Sequence, residues 1–149
     1  MLNALAVIAA TVVGTMVGVE FAVAVFVNPM LVRLPAGPAI EARADGGRVL
    51  GRVMPFWYFA SLILTAVLAA ATHGGATAAA IAASALLAVS VVMSIALLVP
   101  INNRSATWTA DNHPGDYREQ WQRWDRLHYA RVAVLITGFV LVLIAVTAL

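Results

Sequence analysis

The basic charges of this chain are confined to two short stretches. Every basic residue is an arginine, and all nine arginines sit there. Arg33, Arg43, Arg48 and Arg52 occupy the first stretch; Arg104, Arg118, Arg123, Arg126 and Arg131 occupy the second. The sequence around and between them is almost uncharged and strongly apolar. Of 149 residues, 62% are hydrophobic and 11% charged, against about 25% charged in a soluble domain. A chain of this length in water would leave large apolar patches uncovered. The pattern therefore predicts a multi-pass protein of the cell membrane, with the lipid bilayer as its first partner. Short arginine-rich loops are retained in the cytoplasm, so both loops are expected there, with both termini outside.

Composition also excludes several chemistries. With no cysteine, disulfides, thiolate catalysis, iron–sulfur clusters and covalent haem attachment are ruled out. The net charge of +2 comes with no basic stripe interleaved with aromatics, so nucleic acid is not an expected partner. Ala22-Val23-Ala24 resembles a signal-peptidase site. The first apolar run lacks a positive start and exceeds the usual h-region of roughly 7–15 residues, so it is expected to remain as a span.

Four spans are predicted within one domain, at about 2–27, 55–72, 76–99 and 129–149, each near the ~20 residues a crossing needs. Pro29 and Pro35 end the first, and Pro100 ends the third. The first arginine loop has a short helix start at Pro38, which Gly46-Gly47 should break or bend. Phe56, Trp57, Tyr58 and Phe59 form an aromatic belt at the head of span two. His73-Gly74-Gly75 reads as a tight outer hairpin with a solvated histidine. Arg118 to Arg131 reads as helix running without a breaker into span four. The fold class is thus all-α: a four-transmembrane-helix bundle with a short interfacial helix in the first cytoplasmic loop and an extended cytoplasmic N-terminal end on helix four. Ile40, Val49, Leu50 and Val53 give the first loop an apolar side suited to a partial lid. Gly14 and Gly18 form a GxxxG pattern, which favours close helix packing within the bundle.

Glu20 is the one ionisable residue deep in a span, roughly 12 Å before Asn28 at 1.5 Å per residue. An intramembrane carboxylate is a site hypothesis by default; its bland alternative is a structural pair with Arg131, which enters span four at a similar depth. Trp124, His128 and Arg131 lie at i, i+4 and i+7 on one helix face, flanked by Trp121 and Asp125. Singly, each is an ordinary interfacial anchor. Asn28, Asn102 and Asn103 end spans on the same side, so a carboxylate, an imidazole, a guanidinium and amides converge near one depth. Asp111, His113 and Glu119 match no metal-binding spacing well; Asp116 is the expected cap of the next helix.

Three segments, in order, resemble the anthrone oxygenase-like family of small four-helix membrane proteins. They are Gly18 to Leu31 with Leu34-Pro35 after it, Val99-Pro100-Ile101-Asn102-Asn103, and Trp121 to Arg131 with its tryptophans, histidine and arginine. This chain departs from the pattern at Leu127, where relatives often carry asparagine, and at Glu20, where glycine or alanine is commoner. The resemblance implies oxidation of a lipophilic aromatic of the anthrone type, with dioxygen as co-substrate. His128 or Glu20 would be the base, and Arg131, Asn102 and Asn103 would stabilise the enolate. Trp124, Trp57, Trp121 and Asn28 would hold the ring system. Either no cofactor is needed, or an iron or copper ion would be held through His128 and Glu20, two ligands being few for such a site. Two other classes stay open: a non-catalytic membrane accessory or assembly subunit, and an ion-coupled transport component using Glu20. The last requires a homo-oligomer.

Overall fold

The computed structural model describes residues 1–149 and contains no strand. Four long helices form it: α1 (Leu2–Val32), α2 (Ala36–Ala71), α3 (Gly74–Ser105) and α4 (Tyr117–Thr147), each long and apolar enough to cross a membrane. A helix of 30 residues measures ~45 Å, well beyond a hydrocarbon core of ~30 Å. The excess lies at the arginine-bearing ends of the helices.

Packing follows the side-chain spacing. Buried residues run as Ala6, Ala9, Val13, Met16 and Glu20 on α1, and as Met54, Tyr58, Ser61, Thr65 and Leu68 on α2. On α3 they are Ala76, Ala80, Ala83, Leu87 and Ser90; on α4, His128, Arg131, Leu135, Gly138, Val142 and Ala145. Steps of three and four alternate, which is the seam of a left-handed bundle. Small residues bring the helices close: Gly138 rests against Leu86 and Ala83 of α3. Gly14 faces Phe139 of α4, where an added Cβ would come within 2.8 Å of the ring. A Cβ added at Gly18 would meet nothing within 4 Å, so only the first glycine of the GxxxG pair is a packing position within the chain. Ile63, Ile81, Val92 and Val140 point outward and stay exposed, as suits side chains facing lipid.

Thr72 and His73 turn the chain between α2 and α3, with Gly74 at φ +61°, a conformation that glycine adopts without strain. His73 is exposed. Four antiparallel crossings bring both arginine segments to the opposite end. They meet there: Arg48 Nη1 donates to the Ala106 carbonyl at 2.8 Å, and Ala39, Ile40, Trp108, Tyr117 and Trp121 make a small core.

Several local expectations are corrected. No separate interfacial helix exists, because α2 continues unbroken through Gly46, Gly47 and Pro55. Glycine weakens a helix without ending it, and the helix runs on through Pro55 despite the lost N–H bond and the crowding of its ring against the preceding turn; no positive φ occurs in this segment. Of the proposed lid residues, Ile40 is buried and Leu50 faces the interior, whereas Val49 and Val53 are exposed. Asp116 does occupy the cap position of α4, but its side chain makes no cap bond and accepts from Gln120 Nε2 at 3.1 Å instead.

Prolines 29 and 100 do not end their helices either. A single π-helical turn precedes each, at Val23–Val27 and Ser94–Leu98. Widening the turn removes the clash between the proline ring and the preceding turn of backbone. In the widened register Asn28 N–H bonds the Val23 carbonyl, so the carbonyl that Pro29 cannot serve is that of Ala24. The Tyr129 hydroxyl of α4 donates to it at 2.7 Å.

Candidate functional site

A cavity of about 310 Å³ lies inside the arginine-bearing end, walled by all four helices and lined mostly by apolar surface. It falls at the small end of the ~300–1,000 Å³ usual for small-molecule sites. Two polar networks line it.

The inner network centres on Arg131, delivered by α4 one turn beyond His128. Arg131 Nη2 donates to Glu20 Oε2 at 2.6 Å and to His128 Nδ1 at 3.0 Å, and Nη1 donates to Ser94 Oγ at 2.7 Å. The Tyr58 hydroxyl donates to the other Glu20 oxygen at 2.8 Å. Glu20, Arg131, His128 and Tyr58 are all buried. Arginine only donates and a backbone carbonyl only accepts. His128 Nδ1 therefore accepts from Arg131, while Nε2, 3.2 Å from the Glu20 carbonyl, carries the proton. That arrangement is the neutral imidazole, with both nitrogens engaged. The Trp124 ring stacks on it at 4.5 Å.

The outer network lies one turn nearer the helix ends. Arg43 of α2 forms an ion pair with Asp125 of α4, and Asn28 Nδ2 donates to the same carboxylate at 3.0 Å. The Arg43 guanidinium lies 4.9 Å from the Trp121 ring and 5.3 Å from that of Trp124. Trp124 thus joins the two networks, touching the imidazole of one and the cation of the other.

Three donors are left over. Arg131 Nε, Trp121 Nε1 and Trp124 Nε1 are buried without a hydrogen-bond partner, and all three residues line the cavity. Buried donors without partners are rare.

The fold brings Glu20, Asn28, Asn102, Trp121, Trp124, His128 and Arg131 to this cavity. It leaves Asn103 exposed and outside. Trp57 lies outside too: its Nε1 donates to the Val12 carbonyl of α1 at 3.0 Å, which makes it a helix-packing residue. Arg43, Tyr58 and Ser94 also belong to the site. Tyr58 had a signal in the sequence, as the polar member of the Met54–Ser61–Thr65 stripe; Arg43 and Ser94 had none. No three His, Asp or Glu side chains gather to hold a metal ion. Glu20 and His128, 3.5 Å apart, share the Arg131 guanidinium between them, so the donor pair does not fit a bound cation.

A family model described as Anthrone oxygenase matches residues 48–141. The matched stretch carries Tyr58, Ser94, Asn102, Trp121, Trp124, Asp125, His128 and Arg131, and begins after Glu20, Asn28 and Arg43. No curated protein and no solved structure matches the chain.

Proposed function

Because the chain belongs to the anthrone oxygenase family, we propose that its cavity binds a lipophilic aromatic ketone of the anthrone type and promotes its oxidation to the quinone by dioxygen. One observation carries this reading: three residues with unpartnered buried donors, Trp121, Trp124 and Arg131, line an apolar cavity together with the buried carboxylate of Glu20. An anthrone has a carbonyl oxygen to accept from such donors and an acidic methylene across the ring.

Glu20 is the base. The His128 ring has no free lone pair, whereas each Glu20 oxygen retains acceptor capacity beyond its bond to Tyr58 or Arg131. The carboxylate takes one methylene proton, and the electron pair left behind spreads through the rings onto the carbonyl oxygen. Arg131 Nε and the indole N–H groups stabilise that oxyanion in surroundings where such bonds are strong. The electron-rich anion passes one electron to dioxygen. The two radicals join through a new C–O bond, giving a hydroperoxide after protonation. Loss of the second methylene hydrogen, with cleavage of the O–O bond, releases water and leaves the second carbonyl. One oxygen atom ends in the quinone and one in water, so atoms and electrons balance. His128 holds Arg131 in place, and Trp124 stacks on His128. Exposed Phe59, Ile95 and Val99 border the cavity, an apolar path by which a membrane-dissolved ligand reaches it.

Detergent-purified protein should consume dioxygen with an anthrone and yield the anthraquinone faster than the reaction without protein. Removing a positioned general base lowers turnover by ~10²–10⁴-fold, and Glu20→Gln should fall in that range. Full turnover by Glu20→Gln would remove the carboxylate from the chemistry. A wild-type rate equal to background would remove the activity altogether.

A further inference from the structure

Gly46, Gly47 and Gly51 lie inside a continuous helix, where glycine is the poorest residue after proline. Nothing in the packing asks for them: a Cβ built on any of the three meets no atom within 4 Å. Their tolerance for positive φ is unused as well, since that conformation occurs only at Gly74. Yet all three line the cavity. On α2 they share a face with Arg43, Leu50, Met54 and Tyr58, so Gly47 falls between the cation of the outer network and the phenol of the inner one. The opposite wall carries Trp121 and Arg131, more than nine-tenths buried, each with an unpartnered N–H.

We infer that this glycine face of α2 is the platform on which a flat, fused three-ring ligand lies, and that the missing side chains set the number of rings the site admits. The inference rests on the reading of the cavity given above and adds to it the residues that set the size of ligand the site admits. From Gly46 to Gly51 the glycines leave a strip of backbone uncovered over about one and a half turns, with Leu50 the one large side chain among them. Methyl groups there would lift a rigid planar ring away from the donors on α4. A compact two-ring ligand, reaching less far along the strip, would be spared.

The test uses the full-length protein in detergent and two probes, anthrone and 1-naphthol, whose binding is read by quenching of tryptophan fluorescence. Gly47→Ala and the triple variant Gly46→Ala/Gly47→Ala/Gly51→Ala should weaken anthrone binding by about tenfold or more, equivalent to ~1.4 kcal/mol, while naphthol binding changes less than about twofold. The melting temperature should stay level or rise by roughly 2–4 °C, since alanine is the better helix former. Gly47→Leu should abolish anthrone binding in a protein that still melts cooperatively. If wild-type protein binds anthrone and the alanine variants bind it equally well, the platform is wrong and the proposed function stands. If the variants melt lower and lose both probes together, the glycines are structural and the platform is again wrong. If wild-type protein binds no anthrone, both readings fall.

Discussion

Arg131 ties together three helices through its two terminal nitrogens, reaching Glu20 on α1, Ser94 on α3 and His128 on its own helix. The Glu20–Arg131 pair is buried at both ends. Breaking such a pair from one side leaves an uncompensated charge and costs about 3–5 kcal/mol, while replacing both partners is often far milder. Glu20→Ala and Arg131→Ala should each destabilise by about that much, and the double variant by well under the sum. Denaturant unfolding in detergent gives the coupling directly. Additive losses would mean that the two side chains do not depend on each other. At this scale the sequence was informative where a residue type is rare in its surroundings. Glu20 stood out as a lone carboxylate among apolar residues, and His128 and Arg131 through their spacing with Trp124. Arg43 was one of nine alike, and its pairing with Asp125 depends on how far α2 and α4 slide past each other, which no local pattern encodes. Trp57 and Tyr58 differ by one position, hence by about 100° around the helix; that rotation sends the indole to the α1 backbone and the phenol to the cavity.

Within the helices, prolines and glycines proved the least transparent residues. Pro29 and Pro100 read as stops, and Gly46-Gly47 as a break, because those residues disfavour helix in isolation. The helices continue because a π-turn absorbs each proline and, at Pro29, because a partner supplies the missing donor. Tyr129 is that partner for the Ala24 carbonyl. Tyr129→Phe should therefore lower stability by about 1–3 kcal/mol, the penalty for a buried acceptor left without a donor. Pro29→Ala restores an N–H at the position facing Ala24 in the widened register. Combined with Pro29→Ala, the Tyr129→Phe loss should shrink to under about 1 kcal/mol. An undiminished loss in the combined variant would show that Tyr129 contributes by ring packing instead. The apolar stripes, by contrast, were legible: alanines and small polar residues at three- and four-residue steps predict a tight bundle, and the helices pack along those stripes.

For the whole molecule, four antiparallel helices force the two arginine segments to one end and the His73 hairpin to the other. Which end faces the cytoplasm follows from a separate argument, that arginine-rich loops resist translocation. On that ground the site is expected to open toward the inner leaflet. The absence of cysteine makes the orientation directly measurable, because one introduced thiol is the only thiol. His73, Glu41 and Gln122 are exposed, and replacing them keeps all nine arginines in place. In intact cells a membrane-impermeant maleimide should label His73→Cys, whereas Glu41→Cys and Gln122→Cys should react only after permeabilisation. Labelling of Glu41→Cys and Gln122→Cys alone would invert the orientation and turn the site toward the outside. Labelling of all three from one side would contradict the four-crossing arrangement itself, and with it the meeting of Glu20, His128 and Arg131 inside the bundle.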